Sequence, residues 1–425
     1  MEKFETAALK NSRRRFSVKK LGGNFFAFAA FSFFSLLIFS CGKNSDLSSI
    51  RREEKFTLNY GNLENQINLF DLNSTGEINT RIAMRDGFFF ISNGKSKKIL
   101  QMNSYGDLLT LYYNPKTNPA PLFDEEILDD ESKYSTRKTV PYTFFEPSFL
   151  VPDSRLNFYV VETLPKERHE VADGKNLRQV VLHFNSDSFV NYIGQQGRGG
   201  TPFPYIKNIY TSSDDSLFVV CIVSEGLQVF CYNSEGNLLH DIVVKHSDVP
   251  DYGEVKAGVT RFVEVENIVP DFNSARLFIK ADFYENSVDS KGQGGVGEVM
   301  TVIFPYDLSD GSYGKPIEIP PYEESITQGF AKQTYKLSYD FMGVSDSGWL
   351  FFTIAVDSGF VVQMVQADSS RIVRRFLSYD TKDTVYSAFN LSASGIISAL
   401  LAGQENAKVV WWRTDDLARS FAENE

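Results

Sequence analysis

The sequence predicts an all-β protein folded as a six-bladed β-propeller of four-stranded blades, whose ring is closed by an N-terminal strand. Two observations predict this fold. Short apolar and aromatic runs recur along the chain between clusters of Gly, Asn, Asp, Ser and Pro, while helical periodicity is hard to find. This is the pattern of strands and turns in an all-β chain. The runs also follow one another in a repeated order, which is typical of stacked four-stranded units.

One hairpin turn recurs almost letter for letter. Residues 103–109 read NSYGDLL, residues 233–239 read NSEGNLL, and residues 185–190 are a looser copy. Each copy follows one apolar run and precedes another. Asn and Gly supply the positive φ that tight hairpins need. These turns therefore anchor an alignment of the chain in which six units share one strand order.

Each unit contains two well-marked strands, with a shorter strand before them and one more after them. The first well-marked strand falls at residues 88–92, 156–162, 217–223, 277–282, 349–355 and 396–402. The next falls at residues 98–103, 179–185, 227–233, 299–306, 361–368 and 408–414. Such a unit leaves its faces uncovered until neighbours stack on it, so the six units are expected to close into a ring.

The two ends of the chain indicate how the ring closes. The last unit lacks an outer strand after Arg413, whereas a spare strand exists near the start, at residues 55–59 or 67–72. An N-terminal strand added to the last blade removes two exposed sheet edges. A β-sandwich, or a pair of sandwiches, is the alternative, because short alternating strands suit that class as well.

The N-terminal segment has the anatomy of a secretory signal peptide. A basic stretch that includes Arg13, Arg14 and Arg15 precedes an uncharged apolar run at residues 25–39, and Ser40 follows. Basic, then apolar, then small is the order of a cleaved signal. The apolar run is shorter than a membrane-spanning helix needs, and an uncleaved anchor is the alternative.

A cysteine directly after Ser40 makes this segment resemble a bacterial lipoprotein signal. The resemblance implies that Cys41 is acylated, with palmitate among its chains, and becomes the mature N-terminus. It divides the chain into a signal peptide at residues 1–40, a polar tether at 41–54 and the propeller at 55–425. The expected location is the cell envelope, anchored to membrane lipid and facing the periplasm or the cell surface.

The repeated units resemble the NHL type of six-bladed propeller. Residues 87–103 follow the strand, turn and strand order of that repeat, and residues 193–204, which read IGQQGRGGTPFP, are similar to its stretch between blades. Together with the signal, the chain is similar to spirochaete propeller lipoproteins of unassigned function. The resemblance implies a fold and not a reaction, because such propellers bind many unlike ligands.

The composition excludes several classes of function. The chain has a net charge of −11, the first 40 residues carry +5, and the remainder therefore carries −16. A surface this negative argues against nucleic acid as a partner. Only 4 His are present, which disfavours zinc sites and His-based catalysts. His240 and His246 fit no compact ligand spacing, and the sequence indicates no catalytic residue, metal ligand or cofactor.

Two cysteines remain in the exported chain if Cys41 is acylated. Cys221 and Cys231 lie ten residues apart across an expected hairpin turn, in a compartment where disulfides form. A three-residue loop would place them opposite each other and allow a disulfide, whereas a two-residue loop would not. Both are also of the type found as small buried hydrophobic residues.

Four long excursions interrupt the repeats, at residues 114–142, 165–176, 285–297 and 316–333. Long loops on a rigid scaffold are the usual place for recognition. The expected function is therefore non-catalytic binding of an envelope protein or a small ligand. The alternative is a hydrolase or lyase with loop-borne carboxylates or a divalent metal at the channel mouth, and a third is a structural subunit of an envelope complex.

Overall fold

The computed structural model describes residues 47–69, 78–122, 137–172, 174–288, 294–328, 331–369 and 371–422. The signal segment, Cys41 and the acidic run at residues 124–131 lie outside these ranges. The described chain forms six sheets of four or five strands and two short hairpins.

The strands, in chain order, are β1 (Ser49–Ile50), β2 (Arg52–Asn59), β3 (Thr80–Arg85), β4 (Phe88–Asn93), β5 (Lys98–Met102), β6 (Leu108–Tyr113), β7 (Lys138–Pro141), β8 (Pro147–Pro152), β9 (Phe158–Thr163), β10 (Glu170–Ala172), β11 (Lys175–Leu177), β12 (Gln179–Phe184), β13 (Phe189–Gly194), β14 (Gly197–Arg198), β15 (Tyr205–Thr211), β16 (Leu217–Val223), β17 (Gly226–Tyr232), β18 (Leu238–Lys245), β19 (Arg261–Pro270), β20 (Arg276–Val288), β21 (Gly294–Asp307), β22 (Ile317–Ile319), β23 (Tyr322–Gln328), β24 (Ala331–Leu337), β25 (Asp340–Val344), β26 (Trp349–Val356), β27 (Gly359–Gln366), β28 (Ile372–Ser378), β29 (Tyr386–Leu391), β30 (Ile397–Ala402) and β31 (Asn406–Trp412). The helices are two short 3-10 turns, Lys166–Arg168 and His246–Asp248, and α1 (Thr414–Ala422).

These strands form the six-bladed propeller that the sequence predicts. Blade one is β3–β7, blade two is β8, β9 and β12–β14, blade three is β15–β18, blade four is β19–β22, blade five is β25–β28 with β1, and blade six is β29–β31 with β2. The remaining strands pair as the hairpins β10–β11 and β23–β24. Every predicted pair of well-marked strands overlaps the second and third strands of a blade.

The core consists of six apolar clusters, each lying between two consecutive blades. The last of them packs Phe89 of blade one against Leu400 of blade six, so the ring is closed. Aromatic rings fill these wedges: Phe158 stacks on Phe184 at 5.2 Å between ring centres, and Tyr112 meets Phe158 edge-on at 4.8 Å. A closed ring with its core between the blades contradicts the β-sandwich alternative.

The N-terminal strand closes the ring, as predicted. β2 pairs antiparallel with β31, from Arg52 opposite Trp412 to Asn59 opposite Asn406, and completes blade six. It begins at Arg52, and β1 already pairs with the outer edge of blade five. The paired strand therefore begins three residues before the predicted range of 55–59. The first residues of this strand were not predicted because their side chains are polar. Glu53, for example, accepts a hydrogen bond from the Trp411 indole at 2.8 Å on an exposed edge.

The strand order gives the disk two different faces. We call "turn face" the side where the first strand of each blade turns into the second and the third into the fourth. We call "insertion face" the side that carries the links from second to third strands and from each outer strand to the next blade. Described parts of the predicted excursions lie in links of the second kind, namely the hairpins β10–β11 and β23–β24 and the extended ends of β20 and β21, and these parts lie on the insertion face. Of the rest, β7 returns along the outer edge of blade one and β22 is the outer strand of blade four.

The turn face is held by hydrogen bonds between neighbouring turns. The N–H and hydroxyl of Ser154 donate to Asp215. The links that continue from blade three to blade six are Ser213 N to Phe272 O at 2.8 Å, Asn273 Nδ2 to Asp346 O at 2.5 Å, and Asp346 N to Ala393 O at 2.7 Å. The turn face therefore consists of short turns that hydrogen bonds join to one another.

Candidate functional site

The first strands of all six blades surround a central channel. Its cavity has a volume of about 230 Å³, and Arg81, Arg85, Phe149 and Phe272 are among the residues that line it. This volume is below the roughly 300–1,000 Å³ of common small-molecule pockets. The channel is thus a narrow site, suited to water or a very small ligand.

Two arginines of blade one narrow the channel. Arg85 lies over the ring of Phe272, which belongs to blade four on the opposite side of the ring, at 5.8 Å. Arg81 lies over the Phe149 ring at 4.7 Å and donates to the Tyr386 hydroxyl at 2.7 Å. Because both guanidinium groups face aromatic rings, cation–π attraction holds them in the channel.

Charged residues converge near the insertion-face mouth of the channel, where the first strands of blades three, four and five begin. Lys207 donates to the Glu266 carbonyl at 2.5 Å, and Lys280 lies 2.6 Å from Asp282 and 3.4 Å from the Glu266 carboxylate. Thr301 donates to the other Asp282 oxygen at 2.6 Å. The Lys280 and Asp282 side chains are almost fully buried, so each partner offsets the desolvation of the other.

The pKa of each of two further acids beside this cluster is raised. Burial raises the pKa of Glu298, with a contribution from Asp282, and burial also raises the pKa of Asp340, with a contribution from Glu266. Perturbed acids in a cleft are candidates for a functional site, although structural ion pairs perturb the pKa as well. Within the described ranges, no group of three His, Cys, Asp or Glu side chains has a geometry that could hold a metal ion.

The insertion face also carries most of the exposed apolar side chains. Of 19 large hydrophobic residues that are exposed in the described chain, 12 lie at strand ends or in links on this face. These are Leu63, Phe145, Val171, Tyr205, Ile222, Val255, Phe262, Val296, Val299, Tyr335, Leu337 and Val385. Exposed apolar residues gathered on one side of a protein mark interaction surfaces.

The structure corrects the disulfide that the sequence allowed. Val223 pairs with Gly226, so the hairpin loop has two residues and Cys221 lies opposite Gln228. Cys221 packs in the cluster between blades two and three, while Cys231 packs between blades three and four. The two thiols therefore point from opposite faces of one sheet, and both are free and buried. Burial raises the pKa of both thiols, that of Cys231 to about 12.

Cys41, His240 and His246 are the other candidate residues. Cys41, the expected lipidation site, lies outside the described residues. His246 begins a 3-10 turn, where its Nδ1 accepts a hydrogen bond from the Val265 N–H at 2.9 Å. His240 lies on β18, the outer strand of blade three, opposite Cys231. The described ranges contain no helix that is long and apolar enough to cross a membrane.

Comparisons with known proteins find similarity among solved structures alone. No family model matches the chain. No curated protein matches it either. Among solved structures, the chain is similar to a glucose dehydrogenase (TM-score 0.39, 10% identity, 85% of this chain and 99% of that one) and to a luciferin-regenerating enzyme (TM-score 0.36, 8% identity, 85% and 95%). It is also similar to the β-propeller domain of the Trilobed protease from Pyrococcus furiosus (TM-score 0.33, 9% identity, 79% and 95%).

Proposed function

We propose that the protein is an exported lipoprotein whose propeller is a rigid, non-catalytic scaffold that binds an envelope protein through its insertion face. The observation that carries this proposal is the asymmetry of the disk. The hairpins β10–β11 and β23–β24, the extended ends of β20 and β21 and most exposed apolar side chains of the described chain lie on the insertion face, while hydrogen bonds join the short turns of the turn face. Recognition loops on a rigid scaffold have this arrangement.

The anchor is the second part of the proposal. In the expected lipoprotein, which would be of the spirochaete kind with an NHL-type propeller, acylated Cys41 holds the chain to membrane lipid. Seven residues, and therefore eight Cα-to-Cα steps, separate Cys41 from Ser49, where the described sheet begins at the outer edge of blade five. An extended chain of that length reaches about 28 Å. The rim of the disk would therefore stay near the bilayer, with its insertion face open to a partner.

Site-specific photo-crosslinking tests the binding face. A photoreactive amino acid is placed at Val171, Phe262 or Tyr335 on the insertion face, and at Tyr105 or Ile372 as exposed controls elsewhere. We expect one discrete crosslinked band in intact cells from the insertion-face positions and none from the controls. Equal crosslinking from both sets, or bands from the controls alone, would contradict the proposal.

The anchor has a separate test. Cys41→Ser should abolish incorporation of labelled palmitate and release the protein from the membrane fraction, while Ser40→Ala, which keeps the thiol and a small residue before it, should retain both properties. Unchanged labelling of the Cys41→Ser protein would refute the site.

One observation favours a hydrolase or lyase as the second candidate function. Glu298 and Asp340 lie with Lys280 and Asp282 near the channel mouth, and the pKa of each of the first two acids is raised. A catalytic role predicts that Asp340→Asn removes an activity on an ester or lactone panel without changing thermal stability. Absence of turnover by the unaltered protein on that panel would count against this candidate.

A further inference from the structure

A second cavity opens on the insertion face between blades one and two, away from the channel. Its volume is about 780 Å³, which lies within the range of small-molecule pockets. It is bounded by the links that follow β4, β6, β7 and β9, and its apolar floor includes Leu164, Val180 and Leu182. Two blades therefore form the cavity together, and its volume suits a small molecule, whereas the volume of the channel does not.

Glu162 is one of the residues that line this cavity. Glu162 stands near the end of β9 and is only 4% exposed. Its Oε1 accepts a hydrogen bond from the Phe145 N–H, whereas its buried Oε2 has no hydrogen-bond partner among the described residues. Burial raises the pKa of Glu162 to about 8, so the group is largely an uncharged acid at neutral pH. Since the Phe145 N–H occupies Oε1, the proton belongs on Oε2, which is then a hydrogen-bond donor without an acceptor.

A buried donor of this kind is costly unless something satisfies it. An unpaired buried polar group loses roughly 1–3 kcal/mol of solvation, and such groups are scarce in folded proteins. A ligand that brings a hydrogen-bond acceptor would satisfy the Glu162 hydroxyl.

The walls and the rim of the cavity limit what that ligand is. Tyr142 and Phe144 meet edge-on at 4.8 Å on one wall, and the Phe145 ring lies beside them. Lys97, Lys116 and Arg168 line the cavity, with the Lys97 ammonium 5.2 Å from the Phe145 ring. Three cations around one opening stand out in a chain whose net charge is −11. They attract an anion and repel a cation.

We propose that the cavity between blades one and two binds a small organic anion with an aromatic body and a hydrogen-bond acceptor at the end opposite its charge. The anionic group contacts Lys97, Lys116 and Arg168, the ring packs against the aromatic wall, and the acceptor takes the Glu162 proton in a hydrogen bond. An ammonium ligand is the rival, since a carboxyl group among aromatic rings also suits a cation. This site goes beyond the proposed partner binding because it needs no second protein.

The test uses the full chain in detergent and three related probes. Titration calorimetry compares 4-acetylbenzoate, which has both polar ends, with benzoate, which lacks the acceptor, and with 4-acetylbenzylamine, which carries the opposite charge. We expect saturable binding of 4-acetylbenzoate, at least tenfold tighter than that of either other probe. No saturable binding of 4-acetylbenzoate, or preference for the amine, would overturn the proposal.

Variants locate the binding. Arg168→Glu changes an exposed side chain and should weaken 4-acetylbenzoate at least tenfold, whereas Arg155→Glu, an exposed arginine on the turn face of the same blade, should not. Glu162→Gln keeps a donor in place and should retain binding of 4-acetylbenzoate, while Glu162→Leu should reduce its affinity to that of benzoate. Loss of binding in Glu162→Gln, or equal effects of the two arginine variants, would sink the assignment.

Discussion

Ser154 of blade two donates its N–H and its hydroxyl to the two oxygens of Asp215 of blade three, at 2.8 and 2.6 Å. Asp215 has a φ of 61°, a left-handed conformation that is unfavourable for most residues and more accessible to Asp. The strained backbone places a carboxylate where it joins two blades. The link between the two turns therefore adds to the apolar cluster that already joins blades two and three.

Asp215→Gly should therefore destabilise the protein by about 1–2 kcal/mol, the scale of lost hydrogen bonds to a charged group, even though glycine relieves the left-handed strain. Asp86→Gly is the matched control, because Asp86 has a φ of 52° in the first turn of blade one and its nearest cation is its neighbour Arg85 at 4.0 Å. We expect Asp86→Gly to be neutral or stabilising in chemical denaturation. Equal losses of stability in the two variants would show that Asp215 stabilises only its own turn and not the contact between the blades.

Gly106 couples a turn of blade one to the closing strand. Its φ is +88°, and a Cβ there would lie 2.7 Å from the Phe56 Cβ of β2. Gly106→Ala should therefore cost both the left-handed penalty and an overpacking term, roughly 2–4 kcal/mol in total. Gly87→Ala, at φ +82° with open space around its Cβ, should cost only the first, about 1–2 kcal/mol. Similar melting temperatures for the two variants would contradict the contact.

Glu162 should make stability fall as pH rises. Its pKa is raised from 4.5 to about 8 in the folded state, so the folded chain holds a proton that the unfolded chain releases. The stabilisation is fully present below pH 4.5 and is lost as pH rises through 8, by up to about 5 kcal/mol. Glu162→Gln should remove this dependence and be the more stable protein at pH 8. Glu167→Gln, an exposed acid nearby, controls for the loss of one negative charge, and parallel pH curves for the unaltered protein and Glu162→Gln would contradict the burial.

Cys221 and Cys231 should stay reduced in the folded protein. In a Cys41→Ser background, which removes the third thiol, we expect no mobility change on a non-reducing gel and no change in melting temperature with reductant. Both thiols should react with a thiol reagent only after denaturation, because both are buried and the pKa of each is raised. Rapid labelling of the native protein would contradict this placement.

The sequence predicted the parts of the fold that are local. Most strands of a blade are close to one another in the sequence, so the Asn and Gly signals of the repeated turn suffice to align them: Gly106 and Gly236 have φ of 88° and 79° in matching turns. The closing strand was predictable because the last unit lacked a partner. The loop between Cys221 and Cys231 was not, since two- and three-residue loops suit the same letters.

Two structural features were not predicted from the sequence: helix α1 and the cavity beside Glu162, and the second depends on contacts between distant segments. Helix α1 did carry a local signal, Thr414 followed by Asp415 and Asp416, and its Phe421 ring packs 5.9 Å from Trp349 of blade five. The cavity beside Glu162 had none, because a strand-end carboxylate is normally solvated and this one is buried by links from other parts of the chain, such as the link that carries Phe145. Local patterns therefore show the blades, while the site arises where blades meet.

The closing strand also constrains when the molecule can fold. Lys408 contacts Glu54 at 3.0 Å across nearly the whole chain, so β2 stays without its partner until blade six has been synthesised. Blades one to five can condense earlier from neighbouring residues, whereas the final sheet waits for the last strand. An exported chain would thus cross its membrane before β2 and β31 pair, and the ring would close only on the far side.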